Sequence, residues 1–239
     1  YHINLETKKV ERFSEEDGLP SDEVYYVFEE TDGTKWIGTS YGLSVFDGEN
    51  FENFRVRDGL ADNQINYITK SSSGNIWLAT GGGVSMFKPA KNNKPLAIQN
   101  FDKSDGMKLV NSHFIWFDEE GYLWQGTNGG LQMLDVPTFR QTGNLSVTHY
   151  PLSNTGIGRE FNFQSLSTDS PNEVWFGSME GLVNLNPNKN TRKLNKPILN
   201  ITSISVNGVP VNWSNYTDSL NYHNGKVEFP NITFPSGAN

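Results

Sequence analysis

The sequence predicts an all-β protein built from blades of a β-propeller. The first reason is an internal repeat, whose four copies span residues 17–46, 58–87, 105–134 and 156–185. The second reason is a tryptophan that recurs at steps of 41, 47 and 51 residues, as Trp36, Trp77, Trp124 and Trp175. The third is strand-like alternation within each copy. Four short strands in about 40–50 residues is the size of one propeller blade.

The second copy shows the predicted order of elements most clearly. Its four strands are predicted at Ile65–Thr69, Ile76–Thr80, Val84–Phe87 and near Leu96–Phe101. Alternation places Ile65, Tyr67 and Thr69 on one face of the first strand. Glycine-containing turns separate the strands, and no stretch of the chain has convincing helical periodicity.

A short apolar segment ending in an aromatic residue precedes each copy. The four segments are Val10–Phe13, Phe51–Phe54, Ile98–Phe101 and Val147–Tyr150. We predict that they are outer strands. The longer steps of the later copies fall at Lys88–Ile98 and Asp135–Leu145, which we interpret as surface connections because insertions there cost little.

The residues that every copy repeats are predicted to serve architecture. A single four-stranded sheet cannot bury both faces, so the recurring tryptophan is predicted to pack between neighbouring blades. Asp17, Asp58 and Asp105 each directly precede a glycine, which is typical of an aspartate that caps its own loop.

The pattern changes from Lys196 onward. Residues 1–195 are therefore assigned to the propeller blades, and residues 196–239 to a second β domain. In that segment Ile201, Ile204 and Val206 alternate before an Asn207-Gly208 hairpin turn. Two or three strands cannot close a sandwich, so the sequence is expected to contain only the start of this domain.

Composition narrows the possible functions. The chain has 239 residues, a net charge of -8 and no cysteine, and its mean hydropathy is -0.55. The acidic balance argues against nucleic acid as a partner, and no apolar run approaches the roughly 20 residues of a membrane helix. Without cysteine, disulfides and thiol chemistry are excluded. The sequence opens without an initiator methionine or signal peptide, so we expect it to be part of a longer protein.

No catalytic residue, metal ligand or cofactor site is predicted. Gly38–Gly42 matches the G-x-S-x-G pattern of hydrolase nucleophiles, but that pattern needs a strand-to-helix turn, and a β turn is predicted here. The four histidines lie far apart in the sequence, without metal-ligand spacing.

Candidate ligand-binding residues lie where the copies diverge. In a propeller, the loops that enter the innermost strands share one face with the turns that follow the second strands. Amides, an arginine and exposed aromatic rings on that face suit recognition of a sugar. The candidates are Tyr41, Asn63, Gln64, Asn111, His113, Arg159, Glu160 and Asn162. Ordinary loop variability, or a structural Arg159–Glu160 ion pair, remains an alternative.

The repeated motif DGL…DxxGxxWxGTxxGLxxF resembles the two-component regulator propeller repeat. That repeat occurs in periplasmic sensor regions of hybrid two-component histidine kinases of gut Bacteroidetes. GREFNFQSLSTDSPNEVWFGSMEGLVNLNP is similar to the closing blade of such a region, and PILNITSISVNGVPV resembles the opening of its Y_Y_Y β-sandwich. The chain departs from the pattern at Gly82-Gly83-Val84, at Pro171-Asn172 and at Gly156–Gly158.

The resemblance implies a fold and a function. The blades would be the last four of a seven-bladed propeller in the periplasmic ectodomain of an inner-membrane histidine kinase. This part would not itself be an enzyme. It would sense an oligosaccharide and signal through the sandwich, as a homodimer that meets the membrane only through segments outside this sequence.

Three alternatives stay open at this point. The chain could be a polysaccharide lyase or hydrolase built on a propeller, or a scaffold that binds only protein. The four units could also close a small ring, with Val10–Phe13 completing the fourth blade.

Overall fold

The computed structural model of the protein consists almost entirely of short antiparallel sheets. It describes residues 2–3, 6–89, 95–151, 161–170, 173–179, 181–185, 205–206, 209–210, 221–223 and 226–228. The chain divides into two compact units, Tyr1–Asn190 and Thr191–Asn239. In the described part of the chain, no helix has the length and apolar character that crossing a bilayer requires.

The first unit begins with a two-stranded ladder of β1 (His2–Ile3) and β2 (Val10–Glu11). Among the described residues β2 pairs with β1 and β17 pairs only with β16, so Val10–Glu11 is not seen as the fourth strand of blade 4, which was one alternative from the sequence. Four sheets then follow as propeller blades. Blade 1 holds β3 (Val24–Glu29), β4 (Lys35–Thr39), β5 (Gly42–Phe46) and β6 (Phe51–Phe54).

The next three blades repeat this order. Blade 2 holds β7 (Ile65–Lys70), β8 (Ile76–Thr80), β9 (Gly83–Pro89) and β10 (Pro95–Phe101). Blade 3 holds β11 (Ser112–Phe117), β12 (Leu123–Thr127), β13 (Gly130–Leu134) and β14 (Val147–Pro151). Blade 4 holds β15 (Phe161–Ser170), β16 (Glu173–Ser178) and β17 (Gly181–Leu185) in the described residues. The all-β propeller prediction is thereby confirmed.

Each blade is a simple meander whose first strand is innermost. Neighbouring strands pair antiparallel in sequence order within every blade. The first strands β3, β7, β11 and β15 contact one another in succession, so they line the central axis. The predicted outer segments at residues 51–54, 98–101 and 147–150 all lie in fourth strands.

Three apolar cores lie between consecutive blades. Trp36 packs with Leu43, Ile68 and Phe87 between blades 1 and 2. Trp77 packs with Phe101 and Leu123 between blades 2 and 3, and the third core holds Trp124, Phe161 and Phe176. The predicted inter-blade role is confirmed for these three tryptophans. Trp175 differs, because no described blade follows blade 4 to cover it, and it is 39% exposed.

The turn between the second and third strands is closed in the same way in all four blades. A hydroxyl at the end of the second strand donates to the carbonyl oxygen of the glycine that begins the third. The donor and acceptor pairs are Thr39 and Gly42, Thr80 and Gly83, Thr127 and Gly130, and Ser178 and Gly181, at 2.8–3.0 Å. The turn also shows why Gly38–Gly42 is not a nucleophile elbow, since it joins two strands.

A single-turn 3-10 helix precedes the innermost strand of each of blades 1, 2 and 3. The three helices span Glu15–Asp17, Val56–Asp58 and Lys103–Asp105. Asp17, Asp58 and Asp105 each accept a hydrogen bond at Oδ2 from the backbone N–H three residues earlier, at 2.9–3.0 Å. This confirms the prediction that these aspartates cap their loops.

Two details of the sequence prediction were wrong. The connection at Asp135–Leu145 contains a helix, α1 (Val136–Thr142), which seven residues are too few to reveal by periodicity. Ile65 and Tyr67 also do not share a face, because the ladder shifts register between them. Ile65 therefore packs with Ile68 toward blade 1, while Tyr67 packs toward blade 3.

The second unit contributes two small hairpins. In one, β18 (Ser205–Val206) pairs antiparallel with β19 (Val209–Pro210), and in the other β20 (Asn221–His223) pairs with β21 (Lys226–Glu228). The Asn207-Gly208 turn predicted between β18 and β19 lies outside the described residues. Assignment of this segment to the start of a β-sandwich stays a prediction.

Candidate functional site

A β-bulge recurs at the second residue of the innermost strands. The ladder between the first and second strands shifts register around Tyr25 in blade 1, Asn66 in blade 2 and His113 in blade 3. In blade 4 the irregularity is larger and extends from Phe161 to Leu166. Bulges re-aim a side chain and often lie near functional sites. In blades 1 to 3 the position therefore takes three different side chains out of the regular ladder.

His113, a predicted binding residue, packs between blades 3 and 4. Its Nδ1 lies 2.7 Å from the carbonyl oxygen of Phe161, and the side chain is buried. The imidazole stacks on Phe163 with ring centroids 3.9 Å apart and planes inclined by 24°. The structure thus places this side chain against β15.

Asn66 has the same role one blade earlier, and sequence reasoning missed it. The side chain is 1% exposed, and its Nδ2 donates to the carbonyl oxygen of Ser112 at 2.7 Å. Its Oδ1 accepts a bond of 2.9 Å from Nε2 of Gln64, a predicted site residue. The sequence does contain a signal for Asn66, because it aligns with His113 and both are polar residues inside a predicted strand.

Asn63 closes its own loop. Its Oδ1 accepts a hydrogen bond of 2.9 Å from the backbone N–H of Val56 at the start of the 3-10 helix. Asp22 occupies the corresponding position in blade 1 and accepts from Glu15 N–H at 2.8 Å. This use in two blades indicates a structural role for the side chain.

Asn111 has a half-buried side chain directly before β11. Its Oδ1 is itself buried and has no partner in the described part of the chain. An amide can make four hydrogen bonds, so part of the hydrogen-bonding capacity of this side chain is unused, at an atom that is closed to solvent.

Tyr41 presents a flat aromatic surface at the turn between β4 and β5. Its ring is 54% exposed, and Cζ of Arg55 lies 4.7 Å from the ring centroid. The Nε of Arg55 is buried without a partner among the described residues. The guanidinium supports the ring from one side, as in a cation–π pair, and Arg55 had not been predicted for the site.

The inner strand of blade 4 reaches across to blade 1. Gln164 has a left-handed backbone conformation with φ of 56°, and its Nε2 donates to the carbonyl oxygen of Tyr25 at 2.5 Å. Asn162, a predicted site residue, is exposed beside it, and its Nδ2 lies 3.4 Å from the carbonyl oxygen of Ser178. Arg159 and Glu160 lie outside the described residues.

Two tyrosines of the innermost strands have a raised pKa. Burial, followed by the carboxylate of Glu23, raises the pKa of Tyr25. The pKa of Tyr67 is raised well above its usual range, chiefly by burial, and its ring lies 4.2 Å from that of Tyr26. Both phenols therefore stay neutral at physiological pH. The described residues contain no group of three histidine, aspartate or glutamate side chains arranged to hold a metal ion.

Comparison with known proteins bears on both fold and site. Residues 59–82, from the 3-10 turn before β7 to the turn after β8, match the family described as "Two component regulator propeller". The chain carries a two-component regulator propeller repeat. No relative was found among curated proteins.

Solved structures that share the propeller-repeat architecture include bacterial sensor ectodomains. The chain is 25% identical, with a TM-score of 0.66, to the extracellular domain of a hybrid two component system from B. thetaiotaomicron. That match covers 85% of this chain and 28% of the other, so the chain spans less than a third of its relative. A second such ectodomain from the same organism is 20% identical over 71% of this chain and 23% of the other, with a TM-score of 0.53.

Enzymes share the fold as well. Virginiamycin B lyase from Staphylococcus aureus is 14% identical, with a TM-score of 0.53, over 80% of this chain and 64% of the lyase. At this identity the likeness concerns only the fold.

Proposed function

We propose that this chain belongs to the periplasmic ligand-sensing region of a hybrid two-component sensor histidine kinase. The observation that carries the proposal is the similarity, in both sequence and fold, to the extracellular domain of a hybrid two component system. The propeller repeat at residues 59–82 supports it independently. In this role the blades bind a ligand, and the kinase lies elsewhere in the protein.

The ligand is proposed to be an oligosaccharide that binds at the channel face. Tyr41 offers an exposed ring face, which suits the apolar face of a pyranose. Asn111 is included in the proposal, and its buried, unpartnered Oδ1 must become accessible for a hydroxyl group to reach it. Asn162 is exposed at the same end of the innermost strands. Arg159 and Glu160 directly precede β15 in sequence and are included in the proposal. His113, Asn63 and Gln64 support the face through the contacts described above.

Signal transfer is proposed to pass through the segment that begins at Lys196. In this scheme residues 196–239 open a Y_Y_Y-type sandwich, and ligand binding rearranges a homodimer of the full receptor. The membrane is reached only through segments outside this sequence.

Calorimetric titration of the intact ectodomain with a panel of oligosaccharides tests this proposal. We expect saturable heat with at least one glycan, and we expect Tyr41→Ala to weaken that binding roughly tenfold by removing the stacking surface. Tyr122→Ala is the matched control, because Tyr122 lies in the turn between β11 and β12, at the opposite end of the strands. Absence of binding across a broad panel would contradict the proposal.

The same titrations separate sensor from enzyme. A sensor returns the glycan unchanged, whereas a lyase or hydrolase would release shortened or unsaturated products that chromatography detects. Turnover by the intact ectodomain would replace the proposed function with the enzymatic alternative.

A further inference from the structure

A cavity lies between the outer strands of blade 2 and helix α1. Its volume is about 260 Å³, and helix α1 forms one wall. The residues that matter for recognition are two aromatic, two cationic and two amide side chains: Trp77, Phe139, Lys88, Arg140, Asn75 and Gln99. The volume is just below the range for drug-sized ligands, so the cavity suits one small molecule.

Trp77 lines this cavity and carries a buried hydrogen-bond donor. Its side chain is 0% exposed, and its Nε1 has no partner in the described part of the chain. In blade 3 the equivalent Trp124 donates to Oδ2 of Asp118 at 2.9 Å. Blade 2 has Ser71 in the place of Asp118, and its hydroxyl bonds instead with Ser73 and the carbonyl oxygen of Asn75. Burying a donor without an acceptor is costly. Trp36 and Trp116 also have an Nε1 without a partner among the described residues, but of the three only Trp77 lines this cavity.

A second donor in the cavity is poorly satisfied. The Nδ2 of Asn75 lies 3.5 Å from the sulfur of Met86, and a thioether is only a weak acceptor. Both residues line the cavity. The two N–H groups therefore favour a ligand rich in acceptor oxygens.

The charge of the cavity is positive, although the chain as a whole is acidic. Lys88 and Arg140 line it, and no carboxylate of the described residues does. Arg140 Nη2 bonds to the hydroxyl of Ser73 at 2.6 Å, and neither cation forms an ion pair within the described ranges. Arginine is well suited to planar, two-oxygen recognition of a carboxylate.

We propose that this cavity binds a small hydroxylated carboxylate, of the chemical class of a sugar acid. The carboxylate lies between Lys88 and Arg140, and the N–H groups of Trp77 and Asn75 donate to ligand oxygens. Gln99 meets a hydroxyl group, and the ring of Phe139 covers the apolar face of the ligand. Helix α1, in the connection between β13 and β14, closes this site.

Nuclear magnetic resonance of the chain, with ¹⁵N-labelled tryptophan, tests the site directly. We expect sodium D-glucuronate to shift the indole signal of Trp77 in a saturable way, and neutral D-glucose to leave it unchanged. Inorganic phosphate distinguishes a carboxylate site from a general anion site. Phosphate binding as tight as that of glucuronate would overturn the assignment, and so would the absence of a saturable shift.

Substitution of the two cationic residues of the cavity tests where glucuronate binds. Lys88 and Arg140 both have exposed side chains. The variants Lys88→Gln and Arg140→Gln are therefore expected to fold normally, and each is expected to weaken glucuronate binding roughly tenfold. Arg57→Gln is the control for charge, because Arg57 is exposed elsewhere. Unchanged affinity in both cavity variants would contradict the proposal.

A pair of tryptophan variants tests the buried donor. Trp77→Phe removes the N–H but keeps a ring, and we expect weaker glucuronate binding. Trp36→Phe is the matched control: Trp36 holds the same repeat position, is equally buried and also lacks a partner for Nε1, but it lines no part of this cavity. Equal effects of the two substitutions on binding would overturn the role of the indole. This test is independent of oligosaccharide binding at the channel face.

Discussion

At the scale of single residues, the bulge position keeps the same backbone irregularity in three blades while its side chain differs. The backbone departs from the ladder in the same way at Tyr25, Asn66 and His113, although the three side chains have little in common. Two of them are used alike, since Asn66 and His113 each contact the first carbonyl group of the next inner strand. The repeat thus fixes where a side chain points and leaves its chemistry open.

Replacement of Asn66 tests the strength of this contact. We expect Asn66→Ala to lower the free energy of unfolding by about 1–3 kcal/mol, because the carbonyl oxygen of Ser112 is left buried without its donor. Asn53→Ala is the control, since Asn53 also donates to a backbone carbonyl, that of Gly18, at 2.7 Å, but is exposed. Urea denaturation should show a loss below about 0.5 kcal/mol for the control. Equal losses would show that burial does not decide the effect.

His149 is expected to make stability depend on pH. Burial, and then the charge of Lys108, lowers its pKa below the ordinary value of 6.5. The unfolded chain therefore binds the proton more readily, so stability contributed by neutral His149 is present above about pH 6.5 and lost as pH falls through that value. His149→Gln should reduce the fall in melting temperature between about pH 7.5 and pH 5.5.

Lys108→Gln separates the two causes of the shift. Lys108 is held close by its backbone N–H, which donates to Gln132 Oε1 at 2.7 Å, and Gln132 is the cross-strand neighbour of His149. Titration of the imidazole by nuclear magnetic resonance should show the pKa of His149 rising only partway, because burial is the larger cause. Full return to the ordinary pKa would contradict this ranking.

At the scale of elements, the recurring turn between second and third strands combines a rare backbone conformation with a close approach. Gly83 has φ of 142°, and a Cβ atom there would lie 2.3 Å from the carbonyl oxygen of Phe101 in the fourth strand. Gly181 holds the equivalent position in blade 4 with φ of 145°, and no atom of the described residues lies within 4 Å of its would-be Cβ.

This pair predicts unequal effects of the same substitution. Gly181→Ala should cost about 1–3 kcal/mol of stability, because a methyl group there introduces backbone strain but meets no atom of the described residues. Gly83→Ala should cost clearly more, since β10 must also move away from the new methyl group. Urea denaturation of the two variants measures the difference, and a similar loss in both would contradict a role for the fourth strand.

Sequence predicted most elements and some of the candidate site, for identifiable reasons. Strands and turns were predicted because period-two alternation and glycine turns are local signals that four copies repeat. The β-bulge was not predicted, because one extra residue leaves the alternation intact on each side of it. Ile65 was therefore assigned to the same face as Tyr67, which is wrong. For the same reason Asn66 was missed. Helix α1 was missed because two turns of helix give no periodicity to detect.

At the scale of the whole molecule, each blade is stabilised mainly by its immediate neighbours. The three cores lie between consecutive blades, as in repeat proteins whose stability sums over adjacent interfaces. The outward faces of the first and fourth blades lack such a neighbour among the described residues. Val27 on blade 1 is 52% exposed, whereas its counterpart Ile68 is buried, and Trp175 and Leu182 are exposed on blade 4.

We expect the isolated chain to self-associate through these faces. Sedimentation velocity should show a concentration-dependent increase in mass, since exposed apolar surface of this kind favours contact with another copy or another blade. The double variant Val27→Glu and Leu182→Gln should suppress it, while Glu49→Gln, in an exposed turn, should not. A chain that stays monomeric at all concentrations would contradict the expectation.

The bulge contacts have a consequence for how such a protein could evolve. In blades 2 and 3 the side chain reaches a backbone carbonyl of the following blade, and every residue type supplies that carbonyl. The link therefore places no demand on the neighbour's side chains. A unit duplicated, lost or exchanged by recombination would find its acceptor already present, and its bulge residue could then mutate without a compensating change next door.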